Sequence, residues 1–145
     1  MAAPTSCIFC DIAAGRAPAS IVFRDDVVCA FMDIRPINPG HVLVIPLAHA
    51  AHLEGLPRGT GGHMFEVGQR LAAALRQTGL QCEGINLFVA DGEVAGQEVF
   101  HVHLHVLPRF AGDGFGLRYG PDNLKLPTRS ALEEVAAMVR TVLSP

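Results

Sequence analysis

Apolar and histidine side chains alternate along residues 100–106. Phenylalanine, valine and leucine occupy the even positions, and the odd positions are His101, His103 and His105. A period of two predicts a half-buried β-strand, because successive side chains of a strand point to opposite faces. The imidazoles then share one face of this strand, and neighbouring rings lie about 6.6 Å apart along it.

The rest of the pattern predicts short strands and few helices. Apolar runs bounded by turn residues predict four further strands, at Ile21–Phe23, Val27–Met32, His41–Ile45 and Ile85–Val89. Helical spacing predicts a short helical turn over Asp11–Gly15, a main helix over Gly62–Gln77 and a C-terminal helix over Ser130–Leu143. We therefore predict an α+β fold, an antiparallel five-stranded sheet with a main helix and a C-terminal helix. The expected organisation is a single domain over residues 1–145, with a tail and helix at about 111–145.

Composition and charge exclude several functions. Half of the 145 residues are apolar and the formal net charge is -3. A general nucleic-acid binder carries a basic surface, and this chain has a negative net charge and no run of Lys or Arg. Met1–Ser6 lacks the basic start of a signal peptide, and no apolar stretch approaches the about 20 residues of a membrane span. We expect a cytoplasmic protein with reduced thiols and with no nucleic-acid or membrane partner.

The histidine row allows two kinds of chemistry. In the first, a neutral His103 attacks a phosphoryl centre and forms a covalent intermediate, while His105 donates to the phosphate oxygens. In the second, two of the histidines hold a zinc ion that activates water for hydrolysis. Histidine suits both, because its unperturbed pKa of about 6.5 leaves some rings neutral and others protonated near neutral pH.

A cysteine pair near the start of the chain has the spacing of metal ligands. Cys7 and Cys10 enclose two residues, and such a knuckle at 7–10 is typical of closed, four-coordinate structural zinc. Two more ligands are then needed, and the candidates are His49, His52 and His101. An unmetallated pair or a redox dithiol remains the alternative.

At this point the motifs resemble those of a known family. The run from His101 to Leu107 is similar to the signature of the histidine-triad nucleotide hydrolases, in which histidines alternate with apolar residues. Further matching segments, in the family's order and spacing, are Cys7–Cys10, Phe31–Pro36, Gly40–His49 and Gly96–Val99. The resemblance covers roughly residues 7 to 110.

The resemblance implies a homodimer with one continuous sheet and hydrolysis at the α-phosphate of a purine nucleotide conjugate, with adenosine favoured. His103 matches the nucleophile that becomes nucleotidylated, and His105 and His41 match the histidines around the phosphate. The nucleotide-binding matches are Phe31 and Ile34 for the base, Asp33 for the ribose, and Gln97, Val99 and His105 for the phosphates. The ligands of a structural zinc are matched by Cys7, Cys10, His49 and His101, and we expect no organic cofactor.

Two positions depart from the phosphoramidase members of the family. Ala90 stands where those members carry an asparagine, and Glu98 where they carry a serine or threonine that helps protonate the leaving group. The segment Leu107–Arg109 instead resembles the dinucleoside-polyphosphate branch. Both substrate classes stay open, and a nucleotide-binding or scaffold protein with weak catalysis is a further hypothesis.

Overall fold

A computed structural model describes residues 6–143 as an α+β fold built on an antiparallel five-stranded sheet with the order β1-β2-β3-β5-β4. The elements are α1 (Ile8–Ala13), β1 (Ile21–Arg24), β2 (Val28–Met32), β3 (Val42–Pro46), α2 (Thr60–Leu75), β4 (Gly84–Val89), β5 (Leu104–Arg109) and α3 (Arg129–Leu143). The predicted fold class is confirmed, and each predicted strand and both long helices have a counterpart. No helix in the described part of the chain has both the length and the apolar character needed to cross a membrane.

The chain divides into two compact units. The first ends at Asp113 and contains the whole sheet, and the second runs from Gly114 and contains α3. The apolar side chains of α3 are exposed along its length. The single domain over residues 1–145 stays a prediction, and most of the N-terminal segment used to predict the absence of a signal peptide lies outside the described residues.

The three central strands, β2, β3 and β5, are largely buried on both faces of the sheet. In β2, Val28 and Ala30 belong to the core that contains the α2 residues Met64 and Val67. The intervening strand residues belong to the second core, on the opposite face, which also contains α1. Its members are Cys7, Phe9, Cys10, Ile12, Ala13, Cys29, Phe31, Leu43 and Ile45. This second face positions the histidines.

The main helix approaches the sheet closely at one glycine. A Cβ atom on Gly68 of α2 would lie 2.9 Å from Cδ2 of Leu104 and 2.9 Å from Cδ2 of Leu87. Real Cβ atoms do not come this near to other heavy atoms, so a larger residue would force the Leu104 and Leu87 side chains to move. Glycine at this position therefore allows these two leucines to pack directly against the backbone of α2.

The strand prediction for the histidine row is wrong in its N-terminal half. Regular pairing with β3 begins at Leu104, and His105 lies opposite Leu43, so only this histidine belongs to β5. The preceding segment leaves the ladder because Val102 N donates to Ala50 O at 2.8 Å and the Nδ1 of His103 bonds to the carbonyl of His101 at 2.8 Å. The separation is also smaller than predicted, since the ring centroids of His103 and His105 are 4.8 Å apart.

The cysteine knuckle is itself the start of a helix. We predicted a helical turn over Asp11–Gly15, whereas α1 begins at Ile8 and contains Cys10. The physical reason is a cap, because the Sγ of Cys7 accepts a hydrogen bond from the backbone N of Cys10 at 3.4 Å. The cap places both sulfur atoms at the same helix end.

Candidate functional site

Four potential metal ligands converge below α1, on the second face of the sheet. Cys7 and Cys10 come from the N-terminal end of α1, His49 from the segment after β3, and His101 from the segment before β5. The Sγ of Cys10 lies 3.3 Å from Nδ1 of His49, and the Sγ of Cys7 lies 3.5 Å from Nδ1 of His101. The two Nδ1 atoms are 3.2 Å apart.

The donor set and its hydrogen bonds fit a zinc ion. Ligands of a tetrahedral zinc are separated by about 3.3 to 3.8 Å. The distances of 3.2 to 3.5 Å between ligand atoms of this cluster are close to that range. The Nε2 of His101 donates to the carbonyl of Pro46 at 2.8 Å, so the lone pair of the ring stays on Nδ1, the atom that faces the cysteines. Burial and the neighbouring Cys7 thiol raise the pKa of Cys10 to about 11. A cation would favour the thiolates that ligation requires.

The third candidate ligand, His52, lies elsewhere. Its Nδ1 is 3.1 Å from Oδ1 of Asp91, and its ring contacts Phe100 edge to face at 5.8 Å between centroids. His52 sits in the N-cap position of a short 3-10 turn at Leu53–Gly55 and is not part of the cysteine cluster. Residue spacing left three candidates and the family resemblance implied His49 and His101, which are the two that the structure brings together with the cysteines.

A second group of histidines lies beside this cluster. His41 comes from the loop between β2 and β3, His105 lies in β5, and His103 directly precedes β5. The Nε2 of His41 and the Nδ1 of His105 are 2.9 Å apart. The ring of His105 also stacks on Phe88 of β4, with centroids 4.2 Å apart and planes within 8°. The His103 side chain is buried but is not part of the cysteine cluster.

Hydrogen bonds assign the proton of each ring. The backbone N of Ile37 donates to Nδ1 of His41 at 3.2 Å, so the neutral His41 ring carries its proton on Nε2 and donates to His105. His105 then carries its own proton on Nε2. A carbonyl can only accept, so Nδ1 of His103 holds the proton in its bond to His101 and Nε2 keeps a lone pair. One ring is thus ready to act as a nucleophile, and its neighbour as a donor.

Burial keeps these rings neutral. It lowers the pKa of His41, His103 and His105, and in His105, where the His103 and His41 rings add to the effect, the pKa falls to about 4. The Asp33 carboxylate opposes the shift in each ring. Its Oδ2 lies 3.7 Å from Nδ1 of His41, which is too long for a hydrogen bond, so the shorter bond from Ile37 sets the His41 tautomer.

The residues predicted to contact a nucleotide differ in their exposure to solvent. Phe31 is buried in the second core, whereas Ile34 is 90% exposed. The Oδ1 of Asp33 accepts a hydrogen bond from the backbone N of Arg35 at 2.8 Å, which holds the start of the β2–β3 loop. Val99 packs against the same core as Phe31.

Gln97 holds the glycine-rich loop together. The side chain is buried, its Oε1 accepts from the backbone N of Gly92, and its Nε2 donates to the carbonyls of Ala51 and Val99. These bonds use both ends of the amide. Gln97 therefore shapes the loop that carries Val99, and Ala90 is buried at the start of the same loop.

The sequence analysis did not single out Phe9. Its ring contacts His103 edge to face, with centroids 5.1 Å apart, and it contacts His101 and Phe31 in the same way at 5.9 Å and 5.5 Å. Phe9 therefore touches a member of the metal cluster and the candidate nucleophile at once. Its position between Cys7 and Cys10 could have identified it from the sequence. When two metal ligands hold the start of a helix, the positions of the residues between them are also fixed.

Known proteins are similar to this chain in sequence and in fold. The HIT domain family model matches residues 14–112. An uncharacterized HIT-like protein of Borreliella burgdorferi is 43% identical over 115 residues, which is 79% of this chain and 83% of that protein. A crystal structure of a Zn-bound histidine triad family protein from Mycobacterium smegmatis has 42% identity and a TM-score of 0.73, and covers 92% of this chain and 97% of its own.

A third similar structure has a descriptive name. The histidine triad nucleotide-binding protein from Candida albicans has 29% identity and a TM-score of 0.84, and covers 95% of this chain and 97% of its own. The family match and the identity over most of both proteins agree with the histidine motif and the five-stranded sheet. The chain therefore belongs to the histidine triad (HIT) family.

Proposed function

We propose that this protein is a nucleotide hydrolase that cleaves at the α-phosphate of a purine nucleotide conjugate through a nucleotidyl-His103 intermediate. The observation that supports this most directly is the hydrogen bond from Nδ1 of His103 to the carbonyl of His101, at 2.8 Å. It leaves the lone pair on Nε2, and a neutral imidazole nitrogen is a competent nucleophile at phosphorus. The nucleotide-binding name of the related Candida albicans protein agrees with this substrate class.

The reaction has two balanced steps. In the first, Nε2 of His103 bonds to the α-phosphorus, and the bond from phosphorus to the leaving group breaks, with the electron pair going to the leaving group. In the second, water attacks the same phosphorus and gives up a proton to solvent, the electron pair of the breaking bond returns to Nε2 of His103, and a nucleoside monophosphate leaves. The Nε2 proton of His105, whose position follows from its bond with His41 at 2.9 Å, donates to the phosphate oxygens as charge shifts onto them.

The surrounding side chains suit a nucleoside monophosphate unit. We assign the base to the apolar side chains of Phe31 and Ile34, with adenosine favoured, and the ribose hydroxyls to the Asp33 carboxylate. The phosphates would lie beside His105 and the loop of Gln97 and Val99. In this loop Gln97 acts as a positioning residue, because both ends of its amide already bond to the backbone.

The metal cluster has a structural role in this proposal. We assign zinc to Cys7, Cys10, His49 and His101, whose ligand atoms lie within 4.8 Å of one another. Four protein ligands complete a tetrahedral shell, as in structural zinc sites, whereas catalytic zinc keeps an open position for water. The closed shell argues against a zinc-activated-water hydrolase.

We also propose a cytoplasmic homodimer in which two sheets join edge to edge. The edge strands of the described sheet are β1 and β4. The β1 strand has 4 residues and an irregular register, whereas β4 has 6 residues in continuous register with β5. A longer regular edge is the better template for pairing, so we assign the dimer contact to β4.

The test of this function is to trap the intermediate. Enzyme is mixed with a nucleotide labelled at the α-phosphate and quenched in alkali, and we expect acid-labile label on His103 and none on a His103→Ala variant. A His63→Ala variant, altered on α2, serves as the control that keeps both label and turnover. Wild-type turnover by His103→Ala would contradict the proposal.

Two other outcomes would identify the alternatives. Loss of turnover on chelation, with the fold intact and no labelled protein in any sample, would indicate zinc-activated water. Tight binding of adenosine monophosphate without turnover of dinucleoside polyphosphates or phosphoramidates would indicate a nucleotide-binding or scaffold protein with weak catalysis. A panel of both substrate classes, run beside metal analysis, therefore separates all three functions.

A further inference from the structure

An ion pair connects the two loops of the candidate site. The Nη2 of Arg35 lies 3.1 Å from Oε2 of Glu98. Arg35 belongs to the β2–β3 loop and its backbone N bonds to Asp33, the residue assigned to the ribose. Glu98 lies between Gln97 and Val99, in the loop assigned to the phosphates. The pair therefore joins the ribose side of the site to its phosphate side.

The backbones on both sides are fixed, but the ion pair is open to solvent. Gln97 is buried and bonds to three backbone groups, and Asp33 accepts the bond from the start of its own loop. The side chains of Arg35 and Glu98 are 81% and 76% exposed. Such exposed pairs contribute about 0 to 1 kcal/mol to stability. An anion that binds the guanidinium in place of Glu98 therefore loses little of that stabilisation.

The same two loops carry carboxylates into the candidate site. The Oδ2 of Asp33 lies 3.7 Å from Nδ1 of His41, and Glu98 directly follows Gln97, whose amide bonds hold the loop assigned to the phosphates. The proposed phosphate position therefore lies between the loops that carry Asp33 and Glu98. A polyphosphate substrate adds further negative charge there, and the Arg35 guanidinium is the nearby counterion of Glu98. Arginine binds phosphate oxygens as well as it binds carboxylates.

We propose that Arg35 and Glu98 select the substrate by the charge of its leaving group. When the substrate has a phosphate chain beyond the α-phosphate, Arg35 binds that chain in place of Glu98, whereas with a neutral leaving group Arg35 stays paired with Glu98. The site then prefers dinucleoside polyphosphates to nucleoside phosphoramidates as substrates. A departing polyphosphate needs no proton, whereas a departing amine must be protonated. The Glu98 carboxylate cannot supply this proton while it accepts the hydrogen bond from Arg35. This inference rests on the proposed function for its substrates.

The test measures binding apart from turnover. In a His103→Asn background, affinities for diadenosine tetraphosphate and adenosine monophosphate are compared with and without Arg35→Gln and Glu98→Gln. We expect Arg35→Gln to weaken dinucleotide binding roughly fivefold and monophosphate binding less than twofold, because one exposed charge interaction with the phosphate chain is lost. We expect Glu98→Gln to strengthen dinucleotide binding roughly twofold, because the guanidinium no longer has to leave a carboxylate. Salt should shrink both effects.

The control is a second exposed ion pair. Arg140 and Glu133 pair on α3, with side chains 61% and 63% exposed, and Arg140→Gln should change neither affinity. Equal weakening of both ligands by Arg35→Gln, no weakening of either, or no binding of either ligand to the His103→Asn protein would overturn the inference.

Kinetics then separate this inference from the proposed function. With the native His103, Arg35→Gln should lower kcat/KM for the dinucleotide and leave kcat/KM for an adenosine phosphoramidate nearly unchanged. If the proposed function fails, no substrate turns over and no label forms on His103, but the ratio of the two affinities still reports on Arg35. If only the inference fails, both substrates turn over and Arg35→Gln affects them equally.

Discussion

The five-residue run 101–105 supplies His101 to the metal cluster and His103 and His105 to the candidate active site, and His101 and His103 leave opposite ring nitrogens free. In the cluster, Nε2 of His101 donates to the carbonyl of Pro46 and Nδ1 faces the cysteines. In the active site, Nδ1 of His103 donates to the carbonyl of His101 and Nε2 keeps the lone pair. The backbone carbonyl that each ring bonds thus decides which nitrogen is free, and with it the role of the ring.

The two regions also differ in how closed they are. The cluster brings four potential ligands from three separate segments within reach of one another, and a zinc ion held by all four would have no open position for substrate. The loops that carry the residues assigned to the substrate expose Ile34, Arg35 and Glu98 to solvent. His101 links the two regions, because its ring belongs to the cluster and its carbonyl accepts the hydrogen bond of His103. A stable cluster therefore supports the orientation of the His103 ring.

The largest expected effect comes from breaking the cluster alone. Cys10→Ser removes a thiolate ligand, and because structural zinc contributes of order 10 kcal/mol to folding, we expect unfolding to become easier by at least about 3 kcal/mol. His103→Asn should change the unfolding free energy by no more than about 1 kcal/mol, since it leaves the cluster complete. Urea unfolding and metal content of the purified proteins provide the measurement.

The matched control is Cys82→Ser. Cys82 is half-buried outside the cluster, and its Sγ makes a weak contact with the carbonyl of Gly84 at 3.6 Å. The variant should keep its metal and most of its stability. If Cys10→Ser also keeps the metal, the cluster is not the metal site and the contrast between the two regions fails.

The next effect is confined to the active site. His41→Ala removes the donor to Nδ1 of His105 and frees that ring to adopt the wrong tautomer, so we expect kcat to fall roughly a hundredfold. His41→Gln places an amide donor near the same position and should retain within roughly tenfold of the wild-type kcat. KM and metal content should stay near the wild-type values in both variants.

Thermal unfolding of the His41 variants is the necessary companion measurement, because His41 is buried. An equal loss of kcat in His41→Ala and His41→Gln would mean that the shape of the ring matters and its donated proton does not. The tautomer assignment drawn from Ile37 and His105 would then be wrong.

The sequence predicted the elements well because they depend on local pattern. Apolar runs bounded by turn residues predicted four of the strands, and the two-residue spacing predicted that Cys7 and Cys10 lie together, as they do in the structure. Alternation failed at the start of β5, where it continues through His101 and His103 but the backbone leaves the ladder to bond with Ala50. Long-range hydrogen bonds of this kind have no signature in residue spacing.

The same limit explains the histidines and Phe9. Residue type alone could not choose among His49, His52 and His101, because the choice depends on a 3-10 turn that pairs His52 with Asp91. Phe9 was overlooked since its contacts join segments almost a hundred residues apart in sequence, from α1 to His103. Tertiary placement, which pattern does not encode, decided each case.

The smallest effect is a pH dependence that belongs to the active site. Burial, helped by the His103 and His41 rings and opposed by Asp33, lowers the pKa of His105 from 6.5 to about 4. Between these values the unfolded chain binds a proton at this residue that the folded chain does not. Unfolding then takes up a proton, so the stability contribution is complete above pH 6.5 and is lost as the pH falls toward 4.

We expect His105 alone to account for about 2 to 3 kcal/mol of lost stability between neutral pH and pH 4, the lowered pKa of His41 acting in the same direction. The metal cluster is also sensitive to acid, because its ligands must stay deprotonated. Urea unfolding of wild type and His105→Asn over this pH range separates the two regions, since the variant keeps the cluster and loses the titrating ring. The two stability curves should converge as the pH falls. Parallel curves would mean that the loss of stability at acidic pH comes from the metal cluster and not from His105.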